Sequence, residues 1–206
     1  ERLEGSSNEG LKMRMRSVNW FGVAAGVLML LVPFLGAWWC AEVGAEALKL
    51  ELSPFYYHVS ILEQPLTSSL VGYFILAAKL TVIIGGSLMI VGSLKTDKWW
   101  GKKLMRFGAM KVLWFLVMLL ILLIAGTFFI NNFLPDLIGG RGGNVEIQIP
   151  YIIGTSNSVI QSENVTVVAP TSASLTPSFW VAVLTAFLGI VARIYHGRIE
   201  KRMDAG

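Results

Sequence analysis

The residue with the most unusual chemistry is Lys79, which interrupts the apolar run FILAAKLTVIIGG (74–86). Holding a lysine at the centre of a bilayer costs about 2.5–3.5 kcal/mol, and such residues face protein or a wet cavity rather than lipid. If the inner edge of its span lies near Leu94, the lysine is about 22 Å deep at about 1.5 Å per residue. That is too far from a helix end for easy snorkelling. None of the long apolar stretches of this chain contains Asp or Glu. Three environments can then satisfy the amine. The first is a set of neutral acceptors at its depth, namely Thr127, Thr185 and the Met29 carbonyl left without its helical donor by Pro33. The second is a carboxylate from another subunit, and the third is an anion in a hydrated path.

Other chemistry-bearing residues are few. Cys40 is the single cysteine, so it excludes an intrachain disulfide and a Cys-rich metal site. There are two histidines, His58 and His196. His58 with Glu51 and Glu63 makes a poor metal site, and FYYHVS reads more simply as a strand. His196, in RIYHGR, sits at headgroup level. The signatures GxxxxGK[ST], HExxH and GxSxG are missing. Without acids in the apolar stretches there is no Asp/Glu proton relay. The expectation is a protein that is not an enzyme and takes no cofactor or metal.

These residues must be positioned by helices. The chain has 206 residues, 54% of them hydrophobic and 15% charged, and four stretches approach the roughly 20 apolar residues that cross a bilayer. They divide the sequence into an N-terminal tail (1–17), a first span (18–39), an outer segment (40–65) and a second span (66–94). A short inner loop (95–107), a third span (108–133), a second outer segment (134–177), a fourth span (178–196) and a tail (197–206) follow. Basic residues fall fourteen to one side, on the tails and the inner loop, against two, Lys49 and Arg141, on the other. The positive-inside rule then makes both termini cytoplasmic in a multi-pass cell-membrane protein, with the first span an uncleaved anchor. The basic total is read as topology and contact with anionic lipid, not as a nucleic-acid footprint.

Small residues mark the faces on which spans meet. In the second span, Gly72, Lys79 and Gly86 are seven apart and nearly eclipsed, while Ala77, Thr81 and Gly85 form another small stripe on roughly the opposite side. Gly22 and Gly26 make a GxxxG in the first span, and Ala182, Ala186 and Gly189 supply the fourth. Two small faces on one helix suggest that the second span is held between its own bundle and a neighbouring subunit.

The outer segments read as β-structure. LKLELS (48–53) and NVEIQIP (144–150) alternate apolar and polar residues with period two. Pro54 and Pro150 interrupt, and Gly154-Thr155-Ser156-Asn157 has turn chemistry before the β-branched 159–168. The fold expected is therefore an all-α membrane protein, a four-transmembrane-helix bundle. A small extracellular antiparallel sheet of three or four strands, built from both outer segments, caps it. Asn164-Val165-Thr166 is a glycosylation sequon on the outer side.

This plan resembles that of claudin and tetraspan membrane proteins in topology alone. The claudin Trp, Gly-Leu-Trp and paired cysteines have no counterpart around GAWWC, and the tetraspanin Cys-Cys-Gly is missing, so no family residues carry over. The function expected is a structural, adhesion or accessory subunit of a homo- or hetero-oligomer embedded in lipid. The alternative is a channel or transporter subunit in which Lys79 lines an anion or substrate pathway.

Overall fold

A computed structural model describes residues 18–44, 47–61, 64–95, 99–139, 143–146, 148–162 and 165–203. Three helices are long and apolar enough to cross a membrane: α2 (Ser69–Leu94), α4 (Lys111–Gly139) and α5 (Pro177–Met203). The first apolar stretch forms a shorter helix, α1 (Trp20–Leu31), extended by a 3₁₀ turn over Val32–Phe34. The stretch was expected to stay helical to residue 39. Pro33 has no N–H to continue the ladder, Gly36 takes a positive φ of 82°, and Trp39 already belongs to a strand.

The expectation of an all-α chain does not hold. Among the described residues seven strands form one antiparallel sheet: β1 (Trp39–Val43), β2 (Leu48–Ser53), β3 (Tyr56–Ile61), β4 (Gln64–Leu66), β5 (Gly143–Glu146), β6 (Gly154–Ser162) and β7 (Val165–Leu175). Their order is β4-β3-β2-β1-β7-β6-β5. Both segments expected outside enter it, joined where β1 pairs with β7. The sheet is larger than the three or four strands expected, because β1 and β4 join it and 159–168 divides between β6 and β7, while the residues 154–157 continue β6 instead of turning. They pair with Pro170 to Ala173 of β7, and the positive φ of Gly154, 146°, suits a glycine at the strand's start.

The chain divides into two compact units. The first comprises residues 1–33, 79–114 and 181–206. Its centre is Asn19, fully buried. The Asn19 side-chain oxygen accepts from the Gly22 N–H at 3.1 Å, capping α1. Its amide nitrogen donates to the Ala192 carbonyl at 2.7 Å and to the Met105 sulfur at 3.4 Å. Its backbone N–H donates to the Ser93 carbonyl at 3.0 Å. The segment expected as an inner loop carries a further helix, α3 (Trp99–Ala109), which buries Gly101, Met105, Gly108 and Ala109 and leaves Lys103 and Arg106 exposed.

The second unit comprises residues 34–78 and 115–180. Alternation places Trp39 and Ala41 of β1 on one face with Leu50 and Leu52 of β2 and Ala173 of β7. Trp38, fully buried, packs edge-on against Phe55 at 5.5 Å and Phe179 at 6.4 Å, and Phe55 packs against Phe115 at 5.3 Å. Between β5 and β6, Pro150 breaks the strand pattern, and side chains meet the backbone groups a ladder would have paired. Asn131 accepts from the Ile149 N–H and donates to its carbonyl, both at 2.9 Å. The Ser158 hydroxyl accepts from the Gln148 N–H at 3.2 Å, and the Trp39 indole donates to the Ile152 carbonyl at 2.8 Å.

Replacing Asn19 by Ala removes the cap and leaves the Ala192 carbonyl with its helical partner alone, an expected loss of about 1–2 kcal/mol. Asn19→Ser keeps the cap and should lose about half as much. Unfolding in mixed micelles with rising dodecyl sulfate, followed by tryptophan fluorescence, reads the ranking, and equal stability of Asn19→Ala and the parent would refute it.

Candidate functional site

Lys79 lies on α2 and is half-buried, between the exposed Leu76 and Leu80. Two of the neutral acceptors considered for it donate their own hydroxyl hydrogens to carbonyls, which leaves their oxygens able to accept. The Thr127 hydroxyl donates to the Tyr151 carbonyl at 3.5 Å, and the Thr185 hydroxyl donates to the Val181 carbonyl at 2.7 Å within its own helix.

The small residues divide sharply. In the first unit, Gly26 of α1 meets Gly86 of α2 so closely that a Cβ added at Gly26 would stand 2.5 Å from Ile90 Cγ1 and 3.0 Å from the Gly86 carbonyl oxygen. Gly22 faces the Ser93 hydroxyl with no room for a methyl group. Gly85 borders Met29 and Gly108, and a Cβ at Gly189 would lie 2.8 Å from the Ala109 carbonyl oxygen. Ala182 and Ala186 are buried, and Thr81 is half-buried. Gly72 is apart from all of them: it is exposed, and a Cβ there would meet nothing within 4 Å.

That difference follows α2 along its length. From Val82 onward it buries Val82, Gly85, Gly86, Met89, Gly92 and Ser93. From Ser69 to Thr81 it buries nothing, and Tyr73 and Phe74 are 74% and 70% exposed. Within the second unit, this uncovered stretch borders a groove of about 300 Å³. Val71, Phe74 and Ile75 form one wall and Phe115, Met118 and Leu122 of α4 the other. The Tyr57 hydroxyl bonds to the Ser68 backbone at 2.5 and 3.2 Å, fixing the β2–β3 hairpin that also borders the groove.

The polar face of the sheet gathers the remaining titratable groups. Glu51 of β2 stands opposite Cys40 of β1 and His58 of β3. It pairs with Lys49 at 3.0 Å and accepts from the Tyr56 hydroxyl at 3.3 Å. Burial first and the Glu51 charge second raise the Cys40 thiol above its ordinary pKa. The Tyr56 phenol is raised by the same two causes, in the same order. Among the described residues no three His, Cys, Asp or Glu side chains are grouped to hold a metal ion. Glu63 and the sequon residue Asn164 lie outside the described residues.

Two contributors escaped the sequence reading. Asn19 stands directly before an apolar run, which is the ordinary signal of a helix cap. The α3 seam was hidden because Lys102, Lys103 and Arg106 made its segment look like a charged loop. Comparison with protein-family models and with curated proteins finds no match to this chain.

Gly26→Ala should destabilise the protein by about 1–3 kcal/mol through overpacking, whereas Gly72→Ala should stay within about 0.5 kcal/mol of the parent. The same micellar unfolding measures both, and equal effects would refute the contrast. Because a raised thiol pKa leaves less thiolate at pH 8, Cys40 should alkylate slowly there. Glu51→Gln removes a repelling charge and should speed the reaction roughly twofold, read by the time course of maleimide labelling. A slower reaction would contradict the assigned cause.

Proposed function

We propose that this chain is a multi-pass cell-membrane protein of four spans, with both termini cytoplasmic and the sheet outside. In this reading it works by assembly, as a non-enzymatic structural, adhesion or accessory subunit of a membrane oligomer. The membrane reading is supported by the three long apolar helices and by the large side chains they leave uncovered, such as Trp114, Met118, Ile121, Trp180 and Phe187. The basic residues of the tails and of the segment containing α3 supply the orientation.

The observation that carries assembly is the uncovered half of α2. Apolar side chains facing lipid cost little, so their exposure alone demands no partner. What sets this stretch apart is that Gly72, small enough for a second helix to approach closely, is open on it, and that Ala78 lines the apolar groove beside it. Lys79 adjoins it in sequence, and a lysine in a span favours protein over lipid as its neighbour. A helix from a second copy or from another membrane protein is the partner this surface suits.

A photoreactive amino acid placed at Tyr73 or Leu76, irradiated in native membranes, should couple to another polypeptide, and a bulky Gly72→Trp substitution should suppress the product. The same probe at Trp114 serves as a lipid-facing control. Coupling no greater than at that control would sink the assembly reading.

A further inference from the structure

In the first unit, α5 carries two different stripes. One face buries Ala182, Thr185, Ala186, Gly189, Ala192 and His196. Another, at the helical spacing of i, i+3, i+4 and i+7, presents Ile190, Arg193, Ile194 and Gly197. With Arg198 this second stripe lines one side of a groove of about 590 Å³, and Met110 and Leu113 line the other. A side chain added at Gly197 would meet nothing within 4 Å, so that part of the groove is open. Both arginines are exposed, and neither has an ion pair with a described residue.

We infer that this groove binds one anionic phospholipid, its phosphate held by Arg193 and Arg198 and an acyl chain lying along Met110, Leu113, Ile190 and Ile194. The two arginines are five residues apart, about 7.5 Å along the axis, and they fall at the end of the apolar segment Pro177–Arg198. That is where a membrane-crossing helix reaches the headgroups. The apolar residues Ile190 and Leu113 are farther along their helices from that end, where the acyl chain would be.

Arginine suits this task because its planar fork donates two parallel hydrogen bonds to one phosphate, while its stem packs on hydrocarbon. One zwitterionic phosphate would neutralise a single arginine and bring a repelling ammonium beside the second. A headgroup with net negative charge avoids that penalty, so the site discriminates between lipid classes. The inference rests on the chain being embedded in a membrane but not on its assembling. A monomer that keeps the lipid preference would remove the assembly reading and leave this one standing.

The test uses full-length protein, delipidated in mild detergent and titrated with dioleoyl phosphatidylglycerol or dioleoyl phosphatidylcholine under native mass spectrometry. Phosphatidylglycerol should be retained in preference. Arg193→Gln or Arg198→Gln should each weaken that retention about fivefold, and the double variant should show no preference. Filling the groove with Ile190→Trp should weaken retention of both lipids while the arginines stay in place. Equal retention of the two lipids by the parent would overturn the inference, as would an unchanged preference in the double variant. Displacement of the lipid by millimolar inorganic phosphate would mean that the arginines serve a free anion, which also overturns it. Circular dichroism of each variant should match the parent, since the arginines are exposed.

Discussion

One carboxamide fixes the geometry on which the first unit depends. A buried Asn is tolerated only when its donors and its acceptor are met, and Asn19 meets them with the start of its own helix, a carbonyl of α5 and a sulfur of α3. Its backbone adds the end of α2. Four helices are thus pinned at one level. The glycine contacts a turn or two farther along, Gly22 against Ser93 and Gly26 against Gly86, have no slack for axial sliding, because a shift of one residue would drive side chains into backbone. Polar satisfaction sets the register and small residues then allow the approach.

The second unit solves a different problem with the same currency of hydrogen bonds. Pro150 interrupts the strand pattern, yet Ile149 before it is buried and cannot leave its peptide groups bare. Asn131 behaves as a substitute strand, offering one acceptor and one donor to Ile149 in the spacing a neighbouring backbone would use. Ser158 and Trp39 complete the arrangement from the sheet. A break in the ladder is therefore covered by three side chains drawn from a helix and two strands.

What the sequence made legible follows from which forces are local. Long apolar runs identified the three long helices, and period-two alternation in 48–53 identified β2 with Leu50 and Leu52 on one face. Alternation is silent about where a strand ends when its residues are Ser, Thr and Asn. The residues 154–157 look like a turn and become strand only because β7 supplies partners for them. Pairing at a distance decided the matter. The inner segment was misjudged for a related reason: its lysines advertise solvent, while its glycines and Met105 face other helices, and no single-residue property reports a face. Of the candidate small residues, spacing alone could not separate Gly26, pressed against Ile90 and Gly86, from Gly72, where an added Cβ would meet nothing within 4 Å.

The placement of β1 at the middle of the sheet has a consequence for biosynthesis. Its partner on one side, β2, emerges from the ribosome within a few residues, but its partner on the other, β7, begins at Val165, after α2 and α4 have both been made. Until then β1 shows an unpaired edge, complete in its own residues and open to pairing with any extended segment nearby. The joining of β1 to β7, which closes the longest loop in the sheet, is accordingly a late event in maturation.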